Sequence, residues 1–179
     1  VDTADELFDE HSKVVKLLIR SIQDIANQKQ LSSSSDLRVN FMATLLDDKL
    51  LNLQENVAKL RGIVSGCFTK QSITEKQKSK ILELYTIIKS LQNSILDNEV
   101  MAPLDEYMIL QKETIVSTKK IDSLLSIIDT NILTNEDLSY DAQSFFTEAT
   151  KVLNQQDRLY KFFINSYKDN VMKIGDNMA

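Results

Sequence analysis

The chain has 179 residues, of which 42% are hydrophobic, and a formal net charge of -5. This apolar content is too high for an intrinsically disordered chain, and the length suits one domain, residues 1–179, with a sizeable core. Only three glycines and one proline occur, against usual shares of about 7% and 5%. The chain therefore lacks the turn residues that a sheet protein needs at frequent intervals, and the predicted fold is all-α.

Charge, cysteine content and hydropathy narrow the classes of partner. The densest basic stretch runs from Lys70 to Lys80 and is typical of a solvated helix face, so no nucleic-acid surface is expected. The single cysteine, Cys67, excludes an internal disulfide. No apolar run approaches the length of about 18 residues that a membrane span needs. The chain begins with Val1, which suggests processing or a piece of a longer protein, so membrane contact is expected only through segments outside these residues.

Apolar residues at steps of three and four predict five helices. The first spans about residues 3–30, and its apolar face includes the only histidine, His11. The second spans about residues 36–66 and is predicted to end at Gly66. Its apolar face consists of Val39, Met42, Leu46, Leu50, Leu53, Val57, Leu60 and Val64.

The third and fourth predicted helices are separated by the only proline. The third starts with the capping box Ser72-x-x-Glu75. Because Pro103 removes a backbone donor and clashes with the preceding turn, the chain is predicted to reverse direction between Asn98 and Pro103. The fourth helix then runs from Pro103 to about Thr130. The inner positions are Ile81, Leu84, Ile88, Leu91 and Ile95 on the third helix, and Tyr107, Leu110, Thr114, Ser117, Ile121, Leu124 and Ile128 on the fourth.

The fifth predicted helix, from Ser139 to Met178, follows a loop from Asn131 to Leu138. No glycine or proline interrupts it before Gly175. Its apolar face consists of Leu138, Ala142, Phe145, Ala149, Val152, Leu159, Phe163, Tyr167, Val171, Ile174 and Met178. A helix this long is not stable alone in water, so the other helices must cover its apolar face. The predicted fold is an elongated antiparallel helical bundle of four to five long helices.

The chain lacks the residue patterns of metal-dependent and nucleophilic enzymes. A di-iron site needs two Glu-x-x-His pairs, but the chain has one histidine, and Phe8 stands three residues before it. A calcium loop that opened at Asp129 would need glycine and glutamate where Thr134 and Tyr140 stand. We therefore expect no enzymatic activity, no cofactor and no bound metal.

Four polar residues are the predicted ligand-binding residues: His11, Thr114, Ser117 and Gln156. Gln156 stands where the fifth helix calls for an apolar side chain. A buried polar group without a partner costs about 1–3 kcal/mol. Thr114, Ser117 and Gln156 therefore either pair with one another and fix helix register, line a small pocket, or lie exposed to solvent. His11 is expected to be at least half buried, within hydrogen-bond reach of Ser166 or Tyr167.

Three aromatic residues of the fifth helix are the predicted partner-binding residues: Phe146, Tyr160 and Phe162. Because Phe162 and Phe163 are adjacent, one of the two is expected to face away from the main seam. A second apolar edge of this kind suits a partner helix.

The predicted function is a non-catalytic interaction module that presents helix faces to a protein partner or to a second copy of the chain. One alternative is an extracytoplasmic ligand-sensing bundle of a membrane receptor, in which the polar inner positions bind a solute. Another is an exchangeable lipid-binding bundle. The helices are similar in general form to sensor domains of bacterial receptors and to surface helical lipoproteins, which favours an extracytoplasmic or cell-surface location.

Overall fold

The computed structural model describes residues 45–96 and 107–177, which form four α-helices and two π-helical segments. The helices are α1 (Leu51–Lys70), α2 (Glu75–Leu96), α3 (Tyr107–Ile128) and α4 (Ala142–Asn177). A π-helix, Leu45–Leu50, leads into α1, and a second, Asp129–Thr134, continues α3. No strand occurs in the described residues, so the all-α prediction is confirmed.

Contacts between α2 and α3 show that these two helices run in opposite directions. Gln92 Nε2 donates to the carbonyl oxygen of Thr118 at 3.3 Å. Lys89 Nζ forms an ion pair with Asp122 at 2.7 Å. Residue numbers thus fall along α2 as they rise along α3, and the chain reverses direction between the two helices, as predicted.

The last helix, α4, runs antiparallel to α1. Arg61 Nη1 donates to Thr150 Oγ1 at 3.1 Å. Further along α1, the ring of Phe68 meets the ring of Phe145 edge-on, with 5.5 Å between the centroids. With α1 and α2 joined by a four-residue turn, the described part of the chain is an up-down-up-down bundle, which is the antiparallel order that the sequence predicts.

The core consists of the inner positions of all four helices. They are Leu53, Val57, Leu60, Val64, Cys67 and Phe68 on α1, Ile81, Leu84, Ile88 and Ile95 on α2, Ile121, Leu124, Leu125 and Ile128 on α3, and Phe145, Ala149, Val152, Leu159 and Phe163 on α4. The predicted apolar faces are confirmed where their side chains are described, except that Leu91, Leu138 and Ala142 are only half-buried. Burial raises the pKa of the Cys67 thiol, while the positive charge of Lys70 acts in the opposite direction.

The end of α1 lies beyond the predicted stop at Gly66. The helix continues to Lys70 because Cys67 and Phe68 are buried in the core. Gln71 then adopts the left-handed conformation, with φ 46°. Its N–H donates to Phe68 O and the N–H of Ser72 donates to Cys67 O, both at 3.3 Å. This pair of bonds is a Schellman motif, and glutamine fills the position where glycine is the usual residue.

Replacing Gly66 with alanine is expected to raise the free energy of unfolding by about 0.5–1 kcal/mol, because alanine loses less backbone entropy in a helix interior. A Cβ at position 66 would meet no atom within 4 Å. Urea denaturation measures the gain. Ala58→Gly, in the same helix, is the reverse control and should lower stability. A loss with Gly66→Ala would show that the site is closer packed than the structure describes.

The capping box of α2 is not Ser72-x-x-Glu75 as predicted, but Thr74-x-x-Gln77. The N–H of Gln77 donates to Thr74 Oγ1 at 3.2 Å, and the N–H of Thr74 donates to Gln77 Oε1 at 2.9 Å. Ser72 is already engaged in closing α1, so the cap moves two residues along the chain. The helix accordingly begins at Glu75.

The predicted loop from Asn131 to Leu138 is wrong in its first half. Helical structure continues to Thr134 because Ile132 is buried in the core. The following helix begins at Ala142, where Ser144 N donates to the side chain of Asp141 at 2.7 Å. Hydrogen bonds from Ser144 lower the pKa of the Asp141 carboxyl.

Four sequence predictions concern residues outside the described ranges. They are the first helix (residues 3–30), the start of the second helix (residues 36–44), the burial of His11 beside Ser166 or Tyr167, and the position of the reversal at Asn98 to Pro103. The side chains of Ser166 and Tyr167 are likewise not described.

Candidate functional site

Polar side chains meet a small cavity between the four helices. The buried polar residues of the described part are Gln92, Thr114, Ser117, Gln155 and Gln156. The cavity measures about 10 Å³ and is lined by Leu53, Gln92, Ile95, Thr114, Ser117, Thr118, Ile121 and Leu159. Every helix contributes to its wall. A volume of this size holds about one water molecule.

The structure brings two of the predicted ligand-binding residues together at this cavity. Thr114 and Ser117 lie one helical turn apart on α3 and are 2% and 3% exposed. The alternative of solvent exposure is therefore wrong for both residues. Their role in binding a ligand stays a prediction.

A further polar residue of the cavity, Gln92 on α2, is not among the residues predicted from the sequence. It is 3% exposed, and its Nε2 donates to the carbonyl of Thr118. Its Oε1 has no hydrogen-bond partner in the described part of the chain. The spacing of apolar residues could have identified Gln92. Position 92 lies four residues after Ile88 and three before Ile95, so it fits the apolar face of α2 as well as Leu91 does.

Gln156 lies in the core but is not part of the cavity wall. Neither its Oε1 nor its Nε2 has a hydrogen-bond partner among the described residues. Its neighbour Gln155 is buried too, but Gln155 Nε2 donates to Glu113 Oε2 at 3.2 Å. The alternative in which Gln156 pairs with Thr114 or Ser117 is therefore wrong.

The chemistry open to the cavity is hydrogen bonding. Hydroxyl and amide groups donate and accept hydrogen bonds but carry no charge at neutral pH. Among residues 45–96 and 107–177, no three His, Cys, Asp or Glu side chains are grouped so that they could hold a metal ion.

A second feature lies at the outer edge between α1 and α4. Phe146 is 41% exposed, and the guanidinium carbon of Arg61 lies 4.6 Å from the centroid of its ring. Arg61 also donates to Thr150 Oγ1, one turn along α4. Partial burial lowers the pKa of Arg61. No carboxylate of the described residues forms an ion pair with this guanidinium.

The other two predicted partner-binding residues are less exposed than Phe146. Tyr160 and Phe162 are half-buried and pack against the core, while Phe163 lies fully inside it. On an ideal helix Tyr160 lies about 40° around the axis from Phe146, whereas Phe162 lies about 160° away. The three aromatic residues therefore do not form one surface; Phe146 and Tyr160 share a side of α4.

None of the helices in the described residues is long and apolar enough to cross a membrane. Comparison of the chain with protein-family models, with characterised proteins and with solved structures finds no match.

Proposed function

We propose that this chain is a non-catalytic helical-bundle module that binds a protein partner through its helix faces. The edge around Arg61 and Phe146 is the part of the surface that we assign to the partner. The observation that supports this most directly is the exposed aromatic ring of Phe146, 41% accessible beneath a guanidinium that has no acidic partner among the described residues.

Arginine and aromatic residues are the types most enriched in the energetic centres of protein interfaces. Here the Arg61 side chain is held by the ring of Phe146 and by the hydroxyl of Thr150. A side chain already held in place loses less rotamer entropy when a partner binds. The guanidinium has no ion-pair partner among the described residues, and its remaining N–H groups can donate to a carboxylate. A partner that carries an acidic side chain beside an apolar one would fit this edge, and a second copy of the chain is one such candidate.

The ligand-sensing and lipid-binding alternatives stay predictions. A solute larger than one water molecule would require the helices around the cavity to separate, since the volume enclosed there is about 10 Å³. The residues that support the interaction module need no such rearrangement.

Photocrosslinking tests the proposal. Benzoylphenylalanine placed at position 146 in the full chain, in the cells that make the protein, is expected to capture a defined partner. The same group at Leu82, which is 52% exposed on α2, should not capture it. Arg61→Ala should reduce the yield of the adduct about tenfold or more. Arg61→Lys, which keeps the charge but loses the planar donor array, should reduce it less.

Light scattering of the purified chain tests the case in which the partner is a second copy. Thermal unfolding of each variant is the control for folding. Equal adducts at positions 146 and 82, or a monomeric chain without any adduct at position 146, would contradict the proposal.

A further inference from the structure

The small cavity between the four helices has buried polar residues on its wall. Its volume is about 10 Å³. A site of that size takes one water-sized molecule, and a buried water needs two to four polar partners. Two nearly fully buried polar residues on its wall, Gln92 and Thr114, each have a polar atom without a hydrogen-bond partner in the described part of the chain.

The orientation of the Gln92 amide is fixed by its neighbour. Only the NH₂ group can donate to the Thr118 carbonyl, 3.3 Å away, so the oxygen must be the free atom. Gln92 Oε1 can only accept a hydrogen bond. The missing partner is therefore a donor.

The hydroxyl of Thr114 on α3 differs from four threonine hydroxyls in the other three helices. Thr69, Thr86, Thr147 and Thr150 each donate to the backbone carbonyl four residues earlier, at 2.7 to 2.9 Å. Thr114 Oγ1 makes no such bond. Thr114 is one of the residues that line the cavity, and its hydroxyl can both donate and accept a hydrogen bond.

We infer that the cavity binds one ordered water molecule that links α2 to α3. The water donates one hydrogen bond to Gln92 Oε1. It makes a second hydrogen bond with Thr114 Oγ1, either as donor or as acceptor. Ser117, on the same wall, offers a third polar contact. Water satisfies the acceptor-only amide oxygen and the hydroxyl together, which an apolar occupant of the same size cannot do. The site stands independently of the proposed partner surface.

Nuclear Overhauser measurements between water and the folded chain test this site. A long-lived water is expected to give a cross-peak to the γ-methyl group of Thr114. Gln92→Leu removes the acceptor and should abolish the cross-peak, while the Thr114 hydroxyl remains. Thr86→Val, which removes a hydroxyl that already bonds to Leu82 O, is the matched control and should leave the cross-peak unchanged.

Two results would overturn the inference. The first is the absence of a water cross-peak at Thr114 in the unaltered chain. The second is a cross-peak that survives Gln92→Leu, since the signal would then come from the hydroxyl proton of Thr114 itself. If Gln92→Leu fails to fold, a crystal structure of the unaltered chain decides the matter, with solvent density expected about 2.7–3.2 Å from both Gln92 Oε1 and Thr114 Oγ1. A cavity without that density would equally refute the site.

Discussion

Phe145→Ala is expected to lower the free energy of unfolding by about 3–5 kcal/mol, the usual loss when a fully buried phenylalanine is truncated. The ring has no solvent exposure and meets the ring of Phe68 edge-on at 5.5 Å. Truncation removes the apolar burial, leaves a cavity at the start of α4 and deletes this aromatic pair. Urea denaturation followed by circular dichroism measures the loss.

The adjacent residue provides the control for that measurement. Phe146 carries the same side chain but is 41% exposed, so Phe146→Ala should lower stability by about 1 kcal/mol, chiefly through the lost contact with Arg61. Equal losses from the two substitutions would contradict the rotation of α4 that the structure describes.

Gln156→Leu is expected to raise the free energy of unfolding by about 1–3 kcal/mol, because it removes a buried amide that lacks partners and puts an apolar side chain of similar size in its place. Gln156 is 4% exposed, and both of its amide atoms lack hydrogen-bond partners in the described part of the chain. The thermal midpoint should rise accordingly.

Gln155→Leu is the matched substitution one residue away. Gln155 is also buried, but its amide donates to Glu113, so the same replacement should lower stability by about 1 kcal/mol. Opposite signs at adjacent glutamines would confirm the hydrogen-bond assignment. A loss of stability with Gln156→Leu would mean that the Gln156 amide has a partner in solution.

The helical architecture could be predicted because a single physical pattern, apolar residues at steps of three and four, decides it. Spacing alone places Ile81, Leu84 and Ile88 on the inner face of α2, and all three are buried. Burial of the apolar face contributes most of the stability of a long amphipathic helix. The residues that the spacing assigns to this face are therefore the ones that pack in the core.

Helix ends were harder to predict because they depend on a few local bonds. Glycine is the residue type most typical of a helix end, yet α1 continues beyond Gly66, and Cys67 and Phe68 are buried in the core. Gln71 accepts a left-handed conformation instead, at a moderate conformational cost for a residue that is not glycine. Tertiary burial outweighed local preference at this point.

The polar interior shows the same limit. The spacing of apolar residues places Thr114 on the inner face of its helix. Between Ile88 and Ile95 on α2, however, Leu91 and Gln92 fit the inner face equally well. Two adjacent positions differ by about 100° around a helix axis, and the apolar side chain is the natural choice. Only the rotation of α2 about its own axis determines which of the two faces Thr118.

The burial of Cys67 has a chemical consequence for the handling of this protein. The thiolate is the species that attacks oxidants and disulfides, and burial both hides the sulfur and keeps it protonated. The chain has one cysteine, so a covalent homodimer requires two molecules in which Cys67 has left the core. Disulfide-linked dimers that accumulate in an oxidising solution therefore report exposure of Cys67 from the C-terminal end of α1. Because each dimer needs two exposed thiols, the rate of dimer formation depends on the square of the exposed fraction and on the protein concentration.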